Sequence, residues 1–264
     1  MEPIRVIVHG ALGRVGQEVV KAICCDTGTQ LVGAVDLKAT GDSLILPDGS
    51  RTVPFSTDLD FILTSCRPEV TVDFTTAKAT MPAVRAVAKQ GVNLVIGTTG
   101  LTPDDLGDID RLATEHKIGV VIAPNFALGA VLMMHFARIA AKYLDSAEII
   151  ELHHDQKIDA PSGTALSTAK AMTNARGRPF LRPKEPEKAL ESRGETVEGV
   201  TVHSVRLPGL LAHQEVLLGA PGQTLIIRHD TISRECFMPG VMLAVKEVVK
   251  RQGLTRGLDT LLGF

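Results

Sequence analysis

Residues 151–165 read Glu-Leu-His-His-Asp-Gln-Lys-Ile-Asp-Ala-Pro-Ser-Gly-Thr-Ala, a run that places proton-transfer groups next to an anion-binding backbone. His153, His154 and Lys157 supply the titratable and cationic side chains. Ser162 is an N-cap residue type, and Ala165–Met172 reads as helix. The first-turn N–H groups at Gly163 and Thr164 would then be free to hold a carboxylate or phosphate. A small anionic substrate docked there lies beside the three basic side chains. A metal site at the histidine pair is disfavoured, because neighbouring side chains at a strand end point to opposite faces and no Cys or carboxylate cluster completes a ligand set. The isolated histidines His9, His116, His135, His203, His213 and His229 read as structural or surface residues.

A second constellation lies at the start of the chain. The β-branched run Ile4–Val8 leads into His-Gly-Ala-Leu-Gly-Arg-Val-Gly-Gln, followed by helical spacing of Val19, Val20 and Ile23. This is the strand, glycine turn and helix of a dinucleotide site: Gly10 for the tight turn, Gly13 for approach to a pyrophosphate, Gly16 for close helix packing. Ala11, Leu12, Arg14 and Val15 complete the loop. Leu31–Asp36 reads as a second strand ending in an acidic residue suited to a ribose hydroxyl. Lys38 and Arg14 offer positive charge to a 2′-phosphate, so both NADH and NADPH remain open.

Elements that position these groups follow by alternation. Strands are expected at Val70–Phe74, Val92–Ile96 and Ile118–Ala123, separated by helices at Ala79–Gln90 and Pro103–His116, which describes a doubly wound parallel sheet. Beyond it, Ala130–Leu144 reads as a hinge helix directing Leu132, Phe136, Ile139 and Tyr143 to a core. A strand at Ala147–Leu152 precedes the histidine run. The stretch 176–199 reads as an exposed excursion of variable conformation. Strands at Val200–Leu207, Glu215–Gly219 and Thr224–Asp230 make an open antiparallel or mixed sheet, and Val241–Lys250 forms a last helix before the closing residues 257–262.

The chain has 264 residues, 44% of them hydrophobic and 22% charged, with a formal net charge of −2. That length accommodates two modest domains, and the balance excludes a strongly basic nucleic-acid binder or a disordered chain. No segment offers the roughly 20 apolar residues of a membrane span, nor does the N-terminus read as a signal peptide. A cytoplasmic protein is therefore expected, with Cys24, Cys25, Cys66 and Cys236 as reduced, buried thiols.

The 151–165 run resembles the signature of the dihydrodipicolinate reductase family, and the likeness extends from the first strand to the C-terminal helix. The resemblance implies a Rossmann-like α/β domain from 1–127 and 240–264, and an α+β domain from 128–239 that binds substrate and builds a homotetramer. It implies NADH- or NADPH-dependent reduction of a cyclic, imine-conjugated dicarboxylate in the diaminopimelate route to lysine. Carried over by residue, His153 is the general acid/base, Lys157 the second proton donor and His154 a substrate contact, while Gly163 and Thr164 cradle a carboxylate with help from Ser162. Gly97-Thr98-Thr99 and Ala123-Pro124-Asn125-Phe126 would flank the nicotinamide and its ribose. Two departures stand out: Ala127 occupies a position where many relatives have serine, and Asp36-Leu37-Lys38 is a less clear cofactor-preference signal than Glu-Arg. Another two-domain dehydrogenase of a small carboxylate would not need the signature run. A non-catalytic nucleotide sensor would need neither His153 nor Lys157.

Overall fold

The apolar run Ile4–His9 forms β1, and its Val6, Ile7 and Val8 are completely buried because neighbouring strands lie on both sides and helices cover both faces. Such a strand reads as a continuous hydrophobic run rather than an alternation. The computed structural model describes residues 2–182 and 193–264. These divide into two compact units, Met1–Leu128 with Arg234–Phe264, and Gly129–Ser233.

In the first unit β1 is followed by α1 (Gly16–Cys25), β2 (Thr29–Val35), β3 (Ser43–Ile45), β4 (Thr52–Ser56), α2 (Leu59–Cys66), β5 (Val70–Asp73), α3 (Ala77–Lys89), β6 (Asn93–Ile96), α4 (Pro103–Glu115) and β7 (Gly119–Ile122). α4 begins with a capping box, Thr102 and Asp105 satisfying each other's backbone amides around Pro103. The second unit supplies α5 (Leu128–Ala140), β8 (Ser146–His153), α6 (Gly163–Arg176), β9 (Glu195–Val197), β10 (Val200–Arg206), β11 (Ala212–Ala220) and β12 (Gln223–Thr231). The chain then returns to the first unit as α7 (Met238–Val248), β13 (Gly253–Arg256) and α8 (Leu258–Leu262).

The first sheet has the order β13-β7-β6-β5-β1-β2-β4-β3, parallel throughout except for the β3–β4 pair. Its order reverses between β1 and β5, so the crevice outside their carboxyl ends is the place where a ligand binds in such sheets. The expected parallel core is present. The short β3, β4 and α2 and the added strand β13 were not anticipated. β13 has only four residues with a polar, half-exposed pattern, and becomes a strand by pairing with β7.

The second sheet, β12-β11-β8-β10-β9, is mixed: β8 and β10 are parallel and the remaining neighbours antiparallel. Its core includes Met133 and Ala137 of α5, Ala165, Ala169 and Met172 of α6, and Ile149, Val202, Val216 and Leu218 of the strands. This corrects the reading of α5. Leu132, Phe136, Ile139 and Tyr143 are exposed, Tyr143 to 76%, while Ala130, Met133 and Ala137 are the buried face. Both stripes have helical spacing, but the one with small residues lets the helix backbone approach its neighbours. Of the four cysteines only Cys66 is buried, and Cys25 is exposed; the expectation of four buried thiols fails for Cys24 and Cys25 because α1 turns them away from the sheet. In the 176–199 excursion, β9 occupies Glu195–Val197, and residues 183–192 lie outside the described ones.

Two glycines in helices separate close packing from mere occupancy. A Cβ at Gly16 would lie 2.0 Å from the Gly10 carbonyl oxygen, whereas one at exposed Gly107 in α4 meets nothing within 4 Å. Gly16→Ala is expected to destabilise by about 1–3 kcal/mol as the turn is forced apart, and Gly107→Ala to stabilise by roughly 0.5–1 kcal/mol through helix propensity. Urea denaturation of both variants checks the pair; equal effects would mean that Gly16 is not held against the turn.

Candidate active site

In the second unit, β8 carries Ala147, Ile149, Glu151 and His153 on one face by the two-residue repeat of a strand, and the first three are buried. His153 closes the strand mostly buried, its side chain 15% exposed, and His154 is the first residue past it. The chain then turns, with the Lys157 amide donating to the His154 carbonyl at 3.2 Å. Lys157 Nζ donates to both oxygens of Asp159 at 2.8 Å. That hydrogen bond outweighs the opposing desolvation and holds the Asp159 carboxyl below its ordinary range.

A cis Ala160–Pro161 peptide leads to Ser162, whose Oγ accepts from the Ala165 amide at 3.2 Å and caps α6. The amides of Gly163 and Thr164 have no acceptor within the helix, the ordinary condition of a first turn. A Cβ at Gly163 would touch nothing of this chain within 4 Å, so folding does not demand glycine there. The loop thus brings His153, His154, Lys157, Ser162, Gly163 and Thr164 into one segment between β8 and α6.

Glu151 had no role in the reading of the sequence, yet it organises this segment. Its side chain is completely buried. Oε2 accepts from His153 Nδ1 at 2.5 Å and from Arg206 Nη1 at 2.9 Å; Oε1 accepts from Arg206 Nη2 at 2.8 Å and from the Ser162 amide at 3.2 Å. Burial alone would raise the carboxyl, but hydrogen bonds from His153, Arg206 and Ser204 outweigh it and bring the pKa from 4.5 down to about 2. Arg206 also donates to the carbonyls of Lys157 at 3.3 Å and Asp159 at 2.7 Å. Arg206 lies 55 positions from Glu151 in sequence, and only the parallel β8–β10 register, which sets Arg206 against His153, brings it near. For Glu151 itself a signal was present: it stands two residues before His153 in a strand, hence on the same face.

In the first unit a cleft of about 750 Å³ opens at the carboxyl ends of β1, β2, β4 and β5, and Gly10, Leu12, Gly13, Asp36 and Lys38 are among its lining residues. Gly10 has φ +86°, and a Cβ there would stand 2.8 Å from the Phe74 carbonyl oxygen. The Asp36 carboxylate accepts from the amides of Leu12 and Lys38, each at 2.9 Å, which ties the glycine loop to the end of β2 and leaves lone pairs for a further donor. Ala11 and Gly16 are buried beneath the loop, Val15 is half-buried, and Arg14 is exposed and outside the cleft lining. These features fit a dinucleotide.

Gly97 packs directly on the Phe74 ring, Thr98 Oγ1 accepts from the Thr75 amide at 3.0 Å, and Thr99 is exposed. Ala123 and Phe126 are buried, the latter against Phe74 with ring centroids 5.7 Å apart. Pro124 is exposed, and Asn125 Oδ1 accepts from the Ala127 amide at 2.9 Å. None of these seven residues lines the cleft.

His9, read from sequence as structural or surface, lines the cleft, its Nδ1 3.5 Å from buried Asp73 Oδ1. Burial lowers its pKa against the opposing pull of Asp73 and Asp36. The signal was its place immediately before Gly10. Among the described residues no group of three or more His, Cys, Asp or Glu side chains is placed to hold a metal, and no helix is long and apolar enough to cross a membrane.

A glycine-turn nucleotide unit joined to a mixed-sheet unit with a histidine- and lysine-bearing loop fits a two-unit oxidoreductase of the nicotinamide-dependent class. Residues 4–126 match the family described as dihydrodipicolinate reductase, N-terminus, and residues 129–262 match dihydrodipicolinate reductase, C-terminus. The 4-hydroxy-tetrahydrodipicolinate reductase of Dehalococcoides mccartyi is 56% identical over 262 residues, covering 99% of both chains. That of Moorella thermoacetica is 49% identical, covering 99% of this chain and 98% of its own. A solved dipicolinate-bound dihydrodipicolinate reductase from Paenisporosarcina sp. TG-14 is 41% identical with TM-score 0.86, covering 98% of this chain and 99% of its own. The chain belongs to the dihydrodipicolinate reductase family.

The depressed Glu151 carboxyl has a signed consequence for acid stability. Because its folded value, about 2, lies below its ordinary 4.5, its contribution is complete above 4.5 and is lost as pH falls towards 2. Glu151→Gln should therefore lose less stability than the parent across that window, read as unfolding midpoint against pH. Parallel curves would show that another group carries the acid sensitivity.

Proposed function

We propose that this chain is an NADH- or NADPH-dependent 4-hydroxy-tetrahydrodipicolinate reductase, acting in the diaminopimelate route to lysine. Its full-length family match supports the reaction, and the single geometric observation behind the proposed roles is the loop joining His153, Lys157 and the free amides of α6. The reaction is the reduction of a dehydrated, cyclic dicarboxylate to tetrahydrodipicolinate.

The nicotinamide, when bound, supplies the hydride. The first unit, built on 1–127 and 240–264, holds the dinucleotide: the glycine loop accepts the pyrophosphate, Asp36 a ribose hydroxyl, and the Gly97–Thr99 and Ala123–Phe126 turns flank the nicotinamide end. In the second unit, built on 128–239, the Gly163 and Thr164 amides, the start of the α6 dipole and the Ser162 cap take a substrate carboxylate. His154 contacts the substrate. Lys157 stabilises the negative charge that develops on the ring after reduction and serves as second proton donor, and His153 is the general acid that protonates that anion.

The uncovered face of the second sheet carries Ile150, Leu152, Val205, Leu217 and Ile226, the last 54% exposed. With the exposed stripe of α5 it supports assembly into a homotetramer, which sedimentation equilibrium tests as a mass near four chains. The free thiols of Cys24, Cys25 and Cys66 and the biosynthetic role support a cytoplasmic setting, checked by cell fractionation.

Activity is tested by NAD(P)H absorbance on adding substrate freshly made from aspartate semialdehyde and pyruvate by the synthase; no oxidation above background would sink the proposal. In that assay Lys157→Ala should lower kcat by roughly two to four orders of magnitude with cofactor affinity unchanged. Gly163→Ala should fold normally, since its Cβ meets no atom of the chain, but raise substrate KM by narrowing the cradle. Unchanged KM in that variant would place the carboxylate elsewhere.

Cofactor choice rests on Asp36, which suits a ribose hydroxyl, and on Lys38, which lines the same cleft. Both nucleotides should support turnover. Lys38→Ala should weaken NADPH more than NADH, a gap that shrinks at high salt because the contact is exposed. Equal losses for the two, measured by fluorescence titration, would move Lys38 away from the 2′-phosphate.

A further inference from the structure

Proton transfer by an imidazole needs one defined nitrogen facing the substrate, and a lone histidine has two tautomers to choose from. In this chain a neighbouring buried carboxylate makes the choice. Glu151 is a buried carboxylate that accepts from His153 Nδ1 at 2.5 Å. A carboxylate with no proton of its own can only accept, so Nδ1 carries hydrogen in both the neutral and the charged ring. The same carboxylate takes the bidentate Arg206 fork and the Ser162 amide. Arg206 passes the restraint on to the Lys157 and Asp159 carbonyls.

We infer that Glu151 is a positioning residue for the reaction. It fixes His153 with Nε2 as the nitrogen that exchanges the proton, and through Arg206 it holds the backbone of the Lys157 loop in the same frame. This rests on the reading of His153 as the proton carrier. In the step itself, imidazolium Nε2–H gives its proton to the carbanion-like ring position of the reduced substrate. A C–H bond forms, the Nε2–H bond breaks, and His153 is left neutral with Nδ1–H still donated to an ionised Glu151. Glu151 is neither protonated nor consumed. Arg206 balances its charge, so the carboxylate does not have to draw the proton from the imidazole.

The test is ¹⁵N NMR of ring-labelled histidine in the full chain, with the His153 signals assigned by difference from His153→Gln, alongside steady-state kinetics. The parent should show neutral His153 as the Nδ1–H tautomer. In Glu151→Gln the tautomers should mix and kcat should fall about 10²-fold or more, since a wrong tautomer disables an otherwise intact base, while NADPH affinity stays unchanged. Glu151→Asp, which keeps the charge but draws it back by one methylene, serves if the amide variant does not fold, and should restore part of the Nδ1–H population. A parent with His153 as Nε2–H overturns the inference with no variant needed. So does an unchanged tautomer in Glu151→Gln. If His153→Gln is inactive but Glu151→Gln retains full kcat, the positioning role alone falls. If His153→Gln is itself fully active, the reading of His153 falls first and takes the positioning role with it.

Discussion

A carboxylate with no exposed surface is the constraint around which the second unit is arranged. An ionised carboxylate in a protein interior is tolerated only when its lone pairs are filled by donors, and removing one partner costs far more than a surface pair is worth. Glu151 meets that requirement with donors from three places: His153 on its own strand, Arg206 on β10, and the Ser162 amide at the start of α6. Satisfying one buried charge therefore fixes a strand end, a neighbouring strand and a helix start relative to each other. Such a cluster adds little net stability compared with apolar packing. What it supplies is a single arrangement, because each alternative leaves a charge or an amide unpaired.

A parallel constraint operates in the first unit with backbone in place of side chains. The Gly10 turn runs so close to the Phe74 carbonyl and to Gly16 that side chains do not fit, and Asp36 fastens its Leu12 amide to the end of β2. The amides of Gly10 and Ala11 both donate to the Val35 carbonyl, which binds the turn to the end of β2 a second time. In both units a carboxylate fastens a backbone amide and so fixes the start of a segment, Asp36 holding Leu12 in one and Glu151 holding Ser162 in the other.

Local patterns explain what could be read from the sequence. The glycine turn, the parallel strands β1, β5, β6 and β7 and the Ser162 cap each depend on residues within a few positions of one another, and the structure has them where they were expected, within a few residues at the ends. Errors arose where two local readings were equally good. In α5 the spacing of Leu132, Phe136 and Ile139 is as helical as that of Ala130, Met133 and Ala137, and residue size rather than period decided which face is buried. β13 was missed because its four residues are strand only through pairing with β7. Within the candidate site the residue types were visible as one run, but Arg206 enters from a distant strand and no spacing rule points to it. His9 was set aside among the isolated histidines, although its place immediately before Gly10 was a signal that it lines the cleft.

The Lys157–Asp159 pair shows how a loop can be ordered without being committed. Both Asp159 oxygens are used by one ammonium group, yet the Asp159 side chain is 62% exposed while that of Lys157 is 21% exposed. An exposed ion pair of this kind is worth little, because water screens it and two flexible side chains must be held. The Lys157 ammonium can therefore leave Asp159 at small cost, while the Lys157 backbone stays where Arg206 holds it. The strong restraint sits on the main chain and the weak one on the side-chain ammonium. That division lets the ammonium exchange partners without the loop losing its shape.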